Sequence, residues 1–246
     1  MQATQQKANQ NNLLEKVFKL SEHGTNVKTE IIAGITTFMT MAYILAVNSN
    51  MLAEAGMDAG AVFVATALSA TISCFVMAFL SNYPIALAPG MGLNAFFAYT
   101  VVLQMGYTWQ MALLGVFIEG VLFIILTVTS LREQIINCIP KDLKNAVTAG
   151  VGLFIASVGM TNAGIINTAN GTLALSSLHD PLVVLSVVGL GIAGILVCRN
   201  VRGALLLSIL LTSAIGMLTG IVTLPTKIVS LNVPSLAPTF MQAFSV

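Results

Sequence analysis

The chain has 246 residues, of which 57% are hydrophobic and 8% charged, where a soluble domain carries roughly 25% charged residues. So few charges cannot keep a folded surface in water, which excludes an ordinary soluble domain. The formal net charge is +1, so no overall field points to nucleic acid as a partner.

In chain order, Met1 to Asn12 reads as a disordered polar tail. Leu13, Leu14, Val17, Phe18 and Leu20 then interleave with Glu15, Lys16 and Lys19. That spacing suits a short amphipathic helix, either on the membrane surface or against another soluble element. No apolar signal-peptide core precedes the first span, so that span is expected to serve as the insertion signal. Seven apolar segments follow, at about 31–48, 61–80, 85–103, 110–130, 145–166, 181–198 and 203–223, each near the ~20 residues that a membrane-crossing helix needs. Short polar connections separate them: Glu54 to Gly60, Ser81 to Pro84, Arg132 to Lys144, Asn167 to Asp180 and Arg199 to Arg202. Leu224 to Val246, punctuated by Pro225, Pro234 and Pro238, reads as a loop.

Basic residues are retained on the cytoplasmic side of a membrane. With the N-terminus inside, Lys7, Lys16, Lys19, Lys28, Arg132, Lys141, Lys144, Arg199 and Arg202 all fall inside, and Lys227 falls outside. The bias supports seven spans, a cytoplasmic N-terminus and an extracytoplasmic C-terminus.

The most unusual stretch runs from Pro84 to Phe97, with Pro89, Gly90 and Gly92 inside one hydrophobic segment. Pro89 has no amide proton and Gly90 no side chain, so a continuous helix is not expected there. The expected form is an extended run over 85–88, then a half-helix starting near Gly90. Broken backbone at membrane depth is tolerated where it lines a cavity or is buried in protein, and interrupted spans point to a transporter's central site. Free amides near Gly92 to Asn94 would suit a carbonyl oxygen or an anion. Asn94 adds one acceptor and two donors, the inventory for a heterocycle edge. The alternative is a proline-kinked packing helix with small residues for close approach.

In the first span Thr36 and Thr40 share a face, as do Thr37 and Thr40, with Tyr43 one turn later. They line a solute path, or each bonds back to its own helix; both readings stand. Glu119 lies in the middle of an apolar span, where a carboxylate is a functional candidate. It is a protonatable coupling group, or it stays protonated at a packing seam beside Gly115 and Gly120. Gly150, Gly152, Gly159, Gly189, Gly191 and Gly194 read as tight helix packing. Cys74, Cys138 and Cys198, and His23 and His179, have no metal-ligand spacing. No catalytic or nucleotide-binding motif is present, so neither an enzyme nor a cofactor is expected.

Residues 85–97, IALAPGMGLNAFF, resemble the third-span signature of the nucleobase permeases, and more narrowly that of the AzgA-like adenine, guanine and hypoxanthine permeases of the xanthine/uracil superfamily. Three further stretches agree: HGTNVKTEIIAGITTFMTMAYILAVN (23–48), GAVFVATALSA (60–70) and IPKDLKNAVTAGVGLFIA (139–156). The likeness runs from about Leu14 to the end. It implies an all-α transporter of two inverted seven-span repeats, with a core domain and a gate domain. Here residues 1–30 would be a cytoplasmic tail, 31–130 core spans, 131–223 gate spans, and 224–246 an extracytoplasmic loop.

The resemblance also implies proton-coupled uptake of a purine nucleobase through a bacterial inner membrane. The substrate-binding stretch would be Ala88, Pro89, Gly90, Met91, Gly92, Leu93, Asn94 and Phe96, with Thr37 and Thr40 along the path. Partners would be the base, protons and lipid, with a second-repeat half or a homodimer. The second repeat, which holds other substrate residues in such permeases, is not in this sequence. A truncated product or fragment is therefore expected, and the alternative function is a non-transporting membrane protein or an interaction partner of a full permease.

Overall fold

The structure, a computed structural model, describes residues 13–129, 131–167, 174–177, 179–223 and 233–245. The tail expected to be disordered, Met1 to Asn12, lies outside the described residues, as do 224–232 of the expected C-terminal loop.

A short helix α1 (Leu13–Phe18) opens the described chain, followed by α2 (Val27–Met41) and α3 (Tyr43–Glu54). α4 (Ala59–Val76) widens into a π-helical turn over Met77–Ser81. α5 (Met91–Ala95) continues as a π-helical stretch, Phe96–Gln104, in which the Met105 amide reaches back five residues to the Thr100 carbonyl. Then come α6 (Trp109–Val128), α7 (Leu131–Cys138) and α8 (Lys141–Asn162). A two-stranded antiparallel hairpin, β1 (Ile166–Asn167) with β2 (Ala174–Leu175), precedes α9 (Pro181–Cys198) and α10 (Ala204–Leu218).

Five helical stretches are long and apolar enough to cross a membrane: Val27–Glu54, Ala59–Ser81, Trp109–Val128, Lys141–Asn162 and Pro181–Cys198. Met91–Gln104 and Ala204–Leu218 are shorter apolar helices. These seven coincide with the seven expected segments, and the chain is a polytopic all-α membrane protein. The first runs further than expected because Lys28, Asn48, Ser49 and Asn50 lower the hydropathy of a window without stopping a helix. The small hairpin was not anticipated, since two-residue strands leave no periodicity to read.

Local chemistry explains where the helices begin. Asn26 caps α2 by accepting from the Thr29 amide at 3.0 Å, and Asp58 caps α4 through the Ala61 amide at 2.7 Å. Thr108 caps α6, and Asp180 caps α9, where Pro181 occupies the first turn. Each cap satisfies an amide that the helix itself leaves free, contributing about 1 kcal/mol.

A helix advances ~1.5 Å per residue, so 14 or 15 residues cover roughly 21–23 Å of a ~30 Å hydrocarbon core. The third span makes up the difference with irregular chain ahead of α5. α3 packs on α4, α9 on α10, and α5 lies against both α3 and α8. The C-terminal stretch, expected as a loop, returns to the bundle. Its 3-10 turn Gln242–Phe244 packs on α6, with the Phe117 and Phe244 rings edge to face at 5.0 Å.

Candidate functional site

The interruption in the third span is built from its sequence. Asn82 adopts a left-handed conformation (φ 51°) and ends the helix before it. Residues 82–90 form no regular structure, and Gly90 is extended (φ −79°, ψ 108°) before α5 begins at Met91. This is the extended run and half-helix that Pro84, Pro89 and Gly90 predict. Main chain at this depth needs partners. The Cys74 thiol on α4 supplies two: the Leu87 amide donates to Sγ at 3.2 Å, and Sγ–H donates to the Leu87 carbonyl at 3.4 Å.

Small residues seat the half-helix. Ala95 and Ala98 are buried with Met51 of α3 and Ala55 just after it, and Phe97 and Phe154 pack around them. On the other side, a methyl group at Gly92 would stand 2.8 Å from Val151 Cγ1 of α8. Gly92 is thus a close-approach position on α8, in addition to its place in the expected substrate stretch. Further along, the Asn162 side-chain amide of α8 donates to the Tyr99 hydroxyl at 2.7 Å.

Asn94 is part of a chain of side chains that crosses three helices. Its Nδ2 donates to Asn48 Oδ1 at 2.6 Å, and Asn48 Nδ2 donates to Thr66 Oγ1 at 2.9 Å. Asn48 and Thr66 are only 2% and 4% exposed, and Asn94 is half-buried. From Asn48 to Glu54, from Asp58 to Thr66 and from Asn94 to Gln104 the chain runs six to ten residues, which puts this relay roughly 9–15 Å in from one end of the spans. That is close to mid-membrane depth, where transporter sites lie.

Asn48 and Thr66 were not singled out in the sequence. Asn48 follows an apolar run and Thr66 sits among several hydroxyl residues, and nothing local links positions 18 and 46 residues apart. An asparagine inside a predicted span was the one available signal.

The other expected site residues divide. Ala88, Pro89 and Met91 are half-buried around the break, and Gly90 is exposed. Leu93 and Phe96, 72% and 48% exposed, stand on the open side of the half-helix, away from Ala95 and Ala98. Thr36, Thr37 and Thr40 donate to the carbonyls of Ile32, Ala33 and Thr37 within their own helix, at 2.8, 2.9 and 2.7 Å. Their protons are therefore committed internally, and α2 packs on α10 and α3, whereas Asn94 meets α3 and α4. Glu119 lies on an exposed face of α6 beside Val116, Phe117, Ile118 and Leu122. Gly115 and Gly120 have open space around them, so the packing seam considered for Glu119 is not formed among the described residues.

A hollow of about 620 Å³ lies at another place, between α1 and the loop after α4, lined in part by Phe18, His23, Glu30, Ile31, Asn82 and Tyr83. No cluster of metal-ligating side chains occurs among the described residues.

An all-α membrane protein with one span interrupted halfway, and a buried polar relay at the interruption, has the build of a transporter rather than of an enzyme. The sequence profile of the permease family Xan_ur_permease matches residues 28–246, and the chain belongs to that family. It is similar to a permease of Methanocaldococcus jannaschii, 52% identical over 230 residues, which is 93% of this chain and 52% of that protein. The guanine/hypoxanthine permease PbuG of Bacillus subtilis is 47% identical over 241 residues (94% and 54%). The adenine permease AdeP of Escherichia coli is 45% identical over 209 residues (85% and 47%). The chain thus spans about half the length of the relatives it matches.

Proposed function

We propose that this chain forms the N-terminal half of a purine nucleobase permease and that the broken third span carries its share of the binding site. The observation that carries this reading is the Asn94 amide, held by a buried relay at the point where the span breaks. It is supported by relatives named as guanine/hypoxanthine and adenine permeases. A purine ring offers donors and acceptors along its edge, and the Asn94 carbonyl oxygen and its second amide proton match one of each. Leu93 and Phe96 offer apolar surface to the ring face. Ala88, Pro89, Gly90, Met91 and Gly92 shape the break, and Thr37 and Thr40, whose oxygens still accept, line the approach.

In this reading residues 31–130 belong to the core domain and 131–223 to the gate domain. The N-terminus is cytoplasmic and the C-terminus extracytoplasmic in a bacterial cell membrane, from the nine-to-one distribution of basic residues. Uptake is coupled to protons, with Glu119 on α6 a carboxylate able to hold one at membrane depth. A second seven-span half completes the site, and dimerisation uses the gate domain.

The test is uptake of radiolabelled adenine, guanine and hypoxanthine by cells lacking their own purine permeases. The cells express this chain alone or joined to the C-terminal half of a permease relative. Saturable purine uptake is expected in the joined form, reduced at least about tenfold by Asn94→Ala. Normal uptake with an unchanged Michaelis constant in Asn94→Ala removes that residue from the site. Proton coupling predicts that uptake falls as external pH rises, and that Glu119→Gln flattens this dependence if Glu119 carries the proton.

A further inference from the structure

The irregular run that leads into the half-helix is held at two places, and one of the holds comes from outside the spans. Cys74 holds Leu87. At the start of the run, Asn82 reaches the N-terminal segment: its Nδ2 donates to the carbonyl of Phe18, the last residue of α1, at 3.1 Å and lies 3.4 Å from His23 Nε2. The Phe18 and Phe79 rings join the same two pieces, with centroids 5.5 Å apart. The segment is itself firmly folded. It turns through left-handed conformations at Lys19 (φ 49°) and Gly24 (φ 65°). The Ser21 amide donates to Glu15 Oε1 at 2.8 Å, and the Thr25 amide to the Leu20 carbonyl at 3.0 Å. The Thr25 hydroxyl then donates to Glu30 Oε1 of α2 at 2.7 Å. Residues 13–25 are thus one folded piece, joined to α2 at one end and to the start of the broken span through Asn82.

Ending a helix needs only a left-handed residue, and the Asn82 backbone supplies that (φ 51°). The side-chain bond to a carbonyl 64 residues earlier is not needed for it. A run without regular hydrogen bonds has many conformations unless its ends are fixed, and ordering it at the moment of binding costs affinity. Resting on the permease reading above, we propose that residues 13–25 form a strap that fixes the lead-in to the third-span break, and that Asn82 is the positioning residue through which it acts. The strap preorganises the purine site without touching the base. Attachment of α1 to a lipid surface alone would not require a bond to Asn82.

The experiment compares the wild-type chain with Asn82→Gly, with a deletion of residues 2–20, and with the two combined, each alone and joined to the C-terminal half of a permease relative. Glycine keeps the left-handed turn at no cost and removes the amide. The KM for purine uptake is read because it does not depend on how much protein reaches the membrane. Asn82→Gly and the deletion should each raise KM at least about threefold. The combined form should be no worse than the worse of the two, because both remove one tether. Should the deletion fail to accumulate, Phe18→Ala, which strips the ring from Phe79, takes its place in the same comparison. Hydrogen exchange in detergent reads the strap without transport: amides within 82–88 should exchange at least about threefold faster in Asn82→Gly, with those of α9 and α10 unchanged. A wild-type KM in Asn82→Gly, or effects that multiply in the combined form, overturns the strap's role in binding and leaves purine transport standing. Unchanged exchange within 82–88 overturns the strap itself. Absence of purine uptake by the wild-type chain in both forms removes the permease reading and the strap's role in binding with it, while faster exchange would still uphold the tether.

Discussion

Between α9 and α10 the contacts are apolar and the hydroxyls bond to their own helix, whereas between α3, α4 and α5, beside the apolar cluster of Met51, Ala95 and Ala98, two amides and a hydroxyl bond across the gap. At the first seam a methyl group on Gly189 would stand 2.8 Å from Thr212, and one on Gly216 would stand 2.8 Å from Leu185. The hydroxyls there close on the backbone one turn earlier, Thr212 on the Ser208 carbonyl and Ser208 on the Leu205 carbonyl, both at 2.8 Å. At the second seam Asn94, Asn48 and Thr66 depend on one another. Lipid gives no hydrophobic drive for one helix to meet another, so contact shape and polar bonds have to hold both seams. The apolar seam tolerates small slips, because dispersion has no direction. The polar seam does not, because a displaced amide loses its partner in a dry place.

Four tests sharpen the contrast, ordered by expected size. Gly92→Leu drives a side chain into Val151 and Ile155. It should cost at least about 3 kcal/mol, seen as loss of the monodisperse species in detergent. Gly90→Ala, with open space around it and negative φ, should leave that species intact. If both behave alike, the seating of α5 on α8 is wrong.

Gly189→Ala at the apolar seam should destabilise by about 2 kcal/mol, read as a lower thermal midpoint. Thr212→Ala should recover most of that loss, because the clash is with that one side chain. A double mutant that is merely additive would refute the contact.

Cys74→Val removes both partners of the Leu87 main chain and should cost about 1 kcal/mol, with faster proteolysis within 82–90. Cys74→Ser should retain near-normal protection, since a hydroxyl also donates and accepts. Equal cleavage of the two variants would argue that the thiol holds nothing. Thr36→Val, finally, should change stability by less than about 0.5 kcal/mol, as its hydroxyl serves only its own helix. A large loss of uptake in Thr36→Val would instead place that hydroxyl on the solute path.

Much of this was legible in the residues themselves. Seven apolar runs became seven helical segments because backbone in lipid must satisfy its own hydrogen bonds, and length and hydropathy suffice to say where. The break at Pro84, Pro89 and Gly90 was equally readable, since a missing amide proton and a missing side chain act on the local chain whatever surrounds it. Asn94 stood out as a polar group at the start of a half-helix. By contrast, the hydrogen-bond partners of Thr36, Thr37 and Thr40 needed coordinates, because a threonine in a helix can turn its hydroxyl inward or outward at similar cost.

Sequence alone thus determined the class of fold, the number of segments and the position of the interruption, all consequences of chemistry within a few residues of one another. Tertiary structure decided which side chains meet there. Asn48 and Thr66 joined Asn94, Cys74 took hold of Leu87, and Val151 closed on Gly92. Those pairings depend on the rotation and register of whole helices, which no local pattern of apolar and polar residues encodes.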